Sequence, residues 1–94
     1  MAGDVRLTQI ARILGISSDS DETAVKAAAS ASPDRLADAL FREAADSDDV
    51  IDTESAVAYM EARLEYLSPL LPDEARDVIR SSFHQRVKAW ETAP

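Results

Sequence analysis

Apolar positions recur every three to four residues from near the start of this chain. Leu7, Ile10, Ala11 and Leu14 stand at i, i+3, i+4 and i+7, one face of a helix over residues 5–14. Asp4 offers an N-cap and Gly15 a left-handed stop, with Ile13 and Ile16 packing beside the stripe. A polar link from Ser17 to Glu22 follows, and Asp21 or Ser20 starts a short second helix through Val25 and Ala28, weakly anchored because Val25 is its one large apolar residue. Ser32-Pro33-Asp34 joins a capping side chain, a residue pre-organised for the first helical position and an acid near the positive helix end. The third helix then presents Leu36, Ala37, Leu40, Phe41 and Ala44, and finishes near Ala45.

Residues 46–52 read Asp-Ser-Asp-Asp-Val-Ile-Asp, turn formers around a small apolar anchor, Val50-Ile51. Asp52 or Thr53 caps a fourth helix whose seam is Val57, Met60, Leu64 and Leu67, with Tyr59 and Tyr66 on a neighbouring face. Ser68-Pro69 ends or bends it, and Leu70-Leu71 bridge to the next start at Pro72-Asp73-Glu74. The last helix, 73–91, carries Ala75, Val78, Ile79, Phe83, Val87 and Trp90. Its Phe83, Val87 and Trp90 are expected to close the core against Leu36, Leu40 and Phe41. Residues 92–94 are expected to fray. β-alternation and internal repeats are missing. The pattern predicts one all-α domain over residues 1–94, a compact orthogonal bundle of four to five short helices with polar links near 17–21 and 46–52. The helices differ in length and no heptad pattern runs far, which disfavours an up-down coiled coil.

Composition narrows the chemistry. A chain of 94 residues, 46% hydrophobic, has room for one domain and is too apolar for simple acidic disorder. It has no Cys, which excludes disulfides, thiolate metal sites and cysteine nucleophiles, and its single His excludes a His-rich metal centre. Nothing approaches the run of about 18 apolar residues that a membrane helix needs, so a soluble cytoplasmic protein without membrane association is expected.

Charge changes the picture most. Ten bases face 18 acids, a net −8, and the imbalance is local. Residues 19–54 hold 11 acids against Lys26, Arg35 and Arg42, giving −8, whereas residues 55–94 sum to −1. From Glu43 to Glu54 the chain places Glu43, Asp46, Asp48, Asp49, Asp52 and Glu54 with no base among them. The last helix is locally basic, with Arg76, Arg80, Arg86 and Lys88, which predicts an electrostatically two-sided molecule if these segments fold apart in space. The acidic middle suits docking to a basic patch on another protein, because opposite potentials speed encounter and reject wrong partners. Asp46 and Asp48 also open like a calcium loop, but Val50, Ile51 and Val57 stand where further ligands and a glycine are needed. Tyr59, Arg63 and Tyr66, at i, i+4 and i+7, form a second candidate interface, and Trp90 would serve as an anchor if exposed.

Ala11, Gly15, Ile16 and Ser17, with Ile10 and Leu14, resemble the first helix and turn of the helix-turn-helix family. The resemblance covers roughly residues 8–17. It implies a transcriptional or phage-type regulator binding DNA as a dimer, with Arg6, Arg12 and Lys26 as nucleic-acid contacts. The following segment departs from the pattern: Ser18, Asp19, Ser20, Asp21 and Glu22 lie where the reading helix belongs, and Asp21 takes a position the motif gives to an apolar residue. An acidic helix entrance meets phosphates with like charge.

Catalysis is disfavoured. His84 borders the last apolar stripe between Arg80 and Lys88, so no sequence-local carboxylate orients it. Glu61 and Glu65 are an i, i+4 pair without the Glu-x-x-His motif of di-metal bundles, and no glycine-rich phosphate loop occurs. The expected function is a non-catalytic helical module without metal or cofactor. It would act as an inhibitor, adaptor or regulatory subunit, binding another protein or a second copy of itself.

Overall fold

The computed structural model describes residues 4–92, and among them lie five α-helices and one 3-10 turn, with no strand. They are α1 (Val5–Leu14), α2 (Glu22–Ala31), α3 (Pro33–Asp46), α4 (Thr53–Leu67), the turn Ser68–Leu70, and α5 (Asp73–Glu91). The protein is an all-α helical bundle with extents of 46 × 24 × 20 Å.

The helix boundaries follow from local chemistry. Asp4 accepts the Arg6 N–H at 2.9 Å, and Gly15 (φ 74°) stops α1: the Ile16 N–H returns to the Ala11 carbonyl and the Gly15 N–H to that of Arg12. The Arg35 guanidinium crosses from α3 to donate to the Leu14 carbonyl at 3.2 Å. Asp21 caps α2 by accepting the Ala24 N–H at 2.8 Å. Ser32 alone separates α2 from α3, and contrary to expectation its side chain makes no capping hydrogen bond; Pro33 and Asp34 start α3 without it. Asp52 forms a capping box with Ser55 at the head of α4. After α4, the 3-10 turn buries Leu70, and Leu71 follows it into the core.

The core is a single cluster built around Ile10, Val25, Leu36, Leu40, Met60, Leu64, Leu67, Ile79 and Phe83. Helix α3 packs most extensively on α5, with α4 against both and the α1–α2 pair covering one end. Among the described residues no polar or charged residue is buried. Two expectations for α5 need correction. Its buried stripe is Ala75, Ile79, Phe83 and Val87, a strict i+4 series, so Val78 falls off the stripe and is 43% exposed. Trp90 does not close the core either and is 45% exposed, because it lies beyond the last core-facing turn of α5. In α4 the buried seam starts at Ala56, with Val57 only partly covered. Thr92 is tied back by its hydroxyl, which donates to the Lys88 and Ala89 carbonyls; the fraying expected of Ala93 and Pro94 falls outside the described residues.

Candidate protein-docking surface

The acidic run divides into carboxylates with structural partners and carboxylates without. Glu43 turns inward along α3: it accepts the Tyr59 hydroxyl at 3.1 Å and pairs with Arg63 at 3.4 Å. Asp52 accepts the Ser55 N–H at 2.8 Å, and this bond, with the Ser55 side chain beside it, holds the Asp52 carboxyl below the usual aspartate range; in return the Ser55 hydroxyl accepts the Asp52 N–H at 3.0 Å. Glu54 sits in the first turn of α4, where the helix dipole favours it. Asp46, Asp48 and Asp49 have no such role. They are exposed, and among the described residues no base approaches any of the three within 4 Å. The Ser47 hydroxyl and carbonyl, which accept the Asp49 and Val50 N–H groups, shape the turn that displays them.

The expected two-sided charge pattern is not what the fold produces. Three of the α5 cations are neutralised inside the molecule: Arg76 pairs with Asp73, Arg80 with Glu61 at 2.9 Å and Asp77 at 3.7 Å, and Arg86 with Asp38 at 3.8 Å. The Glu61 hydrogen bonds raise the Arg80 pKa further above its ordinary value. Lys88 is the one α5 base without an acidic partner among the described residues. The acidic stretch therefore has no basic counterpart of similar density on the same surface.

Tyr59, Arg63 and Tyr66 share the neighbouring face of α4, as their spacing requires; Tyr59 and Arg63 are half-buried and bonded within the molecule, whereas Tyr66 stays exposed. Tyr59 packs against the core, and burial together with its hydrogen bond to Glu43 pushes its hydroxyl pKa up. Tyr66 lies between two guanidinium groups, Arg6 at 5.5 Å and Arg63 at 5.4 Å from its ring centre. Arg6 also donates to the Tyr66 carbonyl at 2.9 Å and pairs with Asp4 at 2.6 Å, which holds the Asp4 carboxyl below its usual range. Sequence spacing brought the three α4 residues together; their partners on α1 and α3 carry no local signal.

Trp90 sits at the same end of the bundle as the acidic turn. Its ring meets Phe41 edge-on at 6.4 Å, and Phe41 meets Phe83 at 5.7 Å. Val50, two residues before Asp52, lines the small apolar pocket beside Trp90, and the Thr53 hydroxyl donates to Glu91 at 2.8 Å. Ile51 is the most exposed large apolar residue, at 82%.

Of the three cations assigned to nucleic acid, Arg6 is committed to Asp4 and Tyr66, and Lys26 to Glu22 at 3.0 Å; Arg12 is exposed with no acidic partner among the described residues. The link from α1 to α2 runs over residues 15–21, longer than the turn of about three to four residues in a helix-turn-helix. An open cleft of about 520 Å³ between α4 and α5 is lined by Glu61, Glu65, Ser68, Arg76 and Arg80, whose arginines already hold acidic partners. Among the described residues no group of His, Asp and Glu side chains is placed to hold a metal ion, and no helix is long and apolar enough to cross a membrane. Compared with known proteins, the chain matches no family model, no curated protein and no solved structure.

Proposed function

We propose that this chain is a non-catalytic protein-binding module that docks a basic surface of another protein through the segment 46–54. The observation that carries the reading is the uncompensated state of Asp46, Asp48 and Asp49. Asp46 adds weight, because it is the last residue of α3, where the negative end of the helix dipole disfavours an acid and no basic residue stands in the last turn. A charge that opposes local stability and has no structural partner fits selection for something other than folding. Neutralisation of the α5 arginines within the molecule supports a different protein as partner over a second copy of this chain.

Affinity capture from host lysate tests this, with and without nuclease, using the native chain and a variant in which Asp46, Asp48 and Asp49 are all Asn. A retained protein that survives nuclease and is lost with the variant is the expected result. Equal retention by the variant at low salt overturns the acidic-docking reading. Retention abolished by nuclease overturns it in favour of the helix-turn-helix alternative.

A further inference from the structure

We infer that Trp90 is the apolar anchor of this surface and that its occupant is a cationic segment of another protein carrying an aliphatic side chain that packs on the indole. The inference rests on the docking reading and specifies its partner.

The seat of the indole is built. Its inner side faces Phe41, Ala44, Ala45, Val50 and Ala56, with only about 10 Å³ of space left, and Phe41 itself meets buried Phe83 edge to face. A ring supported in this way from the core is held in place, so little ordering entropy is lost when a partner covers its outer face. On that outer side a groove of about 440 Å³ opens between α3 and α5, lined by Asp38, Phe41, Arg86, Ala89 and Trp90. Asp38 is already shared between Arg42 at 3.0 Å and Arg86 at 3.8 Å, so the groove has no spare charge for a cation. It suits an apolar side chain.

The opposite rim is acidic. Val50 joins the indole pocket to the turn bearing Asp48, Asp49 and Asp52, and the Thr53–Glu91 bond holds the end of α5 beside the start of α4. The C-termini of α3 and α5, at Asp46 and Glu91, both fall in this region and add the negative ends of two helix dipoles. An acidic rim alone accepts cations indiscriminately. A rigid aromatic beside it selects those that bring an apolar side chain, dividing the work between charge steering and anchor packing.

The test uses two synthetic helix-forming peptides of about twenty residues, rich in Lys and Ala, one with leucines at i and i+4 and the other with serines there. Trp90 is the only tryptophan, so its emission reports the site directly. The leucine peptide is expected to bind at least about tenfold more tightly than the serine peptide and to move the emission to the blue. By anisotropy of labelled peptide, Trp90→Ala is expected to reduce the leucine peptide to the serine level, while the Asp46/Asp48/Asp49→Asn variant weakens both. Trp90→Phe, expected to fall between, guards against a folding artefact, and circular dichroism checks each variant. Equal affinity of the two peptides with unmoved emission overturns the anchor and leaves the docking reading standing. No binding of either peptide at low salt overturns both.

Discussion

Asp46 and Asp52 show how the same side chain takes opposite roles seven and one residues from a helix start. Asp46 ends α3 against the negative dipole with no ion partner among the described residues, so Asp46→Asn is expected to stabilise the fold, by about 0.3–1 kcal/mol. Denaturant unfolding checks this; destabilisation by the substitution would remove one support for a functional role. Asp52 precedes α4 at its positive end, and its carboxylate accepts from Ser55. Its folded pKa is depressed first by the Ser55 backbone bond and then by the Ser55 side chain. A depressed carboxylate contributes stability that is present above its unfolded pKa, about 3.9, and is lost as pH falls through the lower folded value. Asp52→Asn retains a capping oxygen without that ionisation. Its thermal midpoint should fall less between pH 5 and acid than that of the native chain, with the gap opening below about pH 4. Identical acid profiles for the two proteins would mean that Asp52 ionisation does not contribute. Caps such as Asp4, Asp21 and Asp52 were legible because capping acts within a few residues. The failure of Ser32 to cap was not, since a one-residue joint (φ −138°, ψ 55°) must serve two helices at once.

The helices differ in what holds them. Helix α2 buries only Val25 and Ala29, and its outer face carries only small side chains, Thr23, Ala24, Ala27 and Ser30. Helices α3 and α5 share the most extensive contact and the Phe41–Phe83 pair. Local opening should therefore begin at α2, whose amides are expected to exchange with solvent faster than those of α3 and α5 by hydrogen-exchange NMR. Val25→Ala, removing its one large anchor, should widen that gap and lower global stability by about 1–3 kcal/mol. Uniform exchange across the three helices would contradict this ranking. The weakness of α2 was already visible in sequence, as were the other helices, whose 3.6-residue periods are carried by large side chains; α2 was legible mainly from its Asp21 cap. The displaced expectations lie at α5. A helical stripe tells which face is apolar but not how far the opposing helices cover each position: Trp90, one turn past Val87, is covered on one side only, while Val78 sits one residue off the i+4 row.

At the scale of the whole molecule, the sequence located the excess charge but not its compensation. Two of the pairs that neutralise α5 are local, Arg76–Asp73 and Arg80–Asp77 at i, i+3, but Arg80–Glu61 and Arg86–Asp38 join residues 19 and 48 apart, and only the tertiary fold brings those together. What remains is a net −8 with Asp46, Asp48 and Asp49 displayed on one turn and Asp52 and Glu54 close behind. Such crowding makes the fold and the proposed complex respond to salt with opposite signs. Screening beyond about 10 Å at 0.1 M ionic strength relieves repulsion among these carboxylates, so added sodium chloride should raise the thermal midpoint of the isolated chain. The same screening should weaken a complex steered by those charges and slow its association more than it speeds dissociation. The Asp46/Asp48/Asp49→Asn variant should begin with a higher midpoint at low salt and gain less from salt, and its peptide binding should depend less on ionic strength. Thermal melts and binding isotherms over the same salt series read both trends together. A variant that keeps the native salt dependence of binding while losing that of stability would place the three aspartates in self-repulsion alone and outside any docking surface.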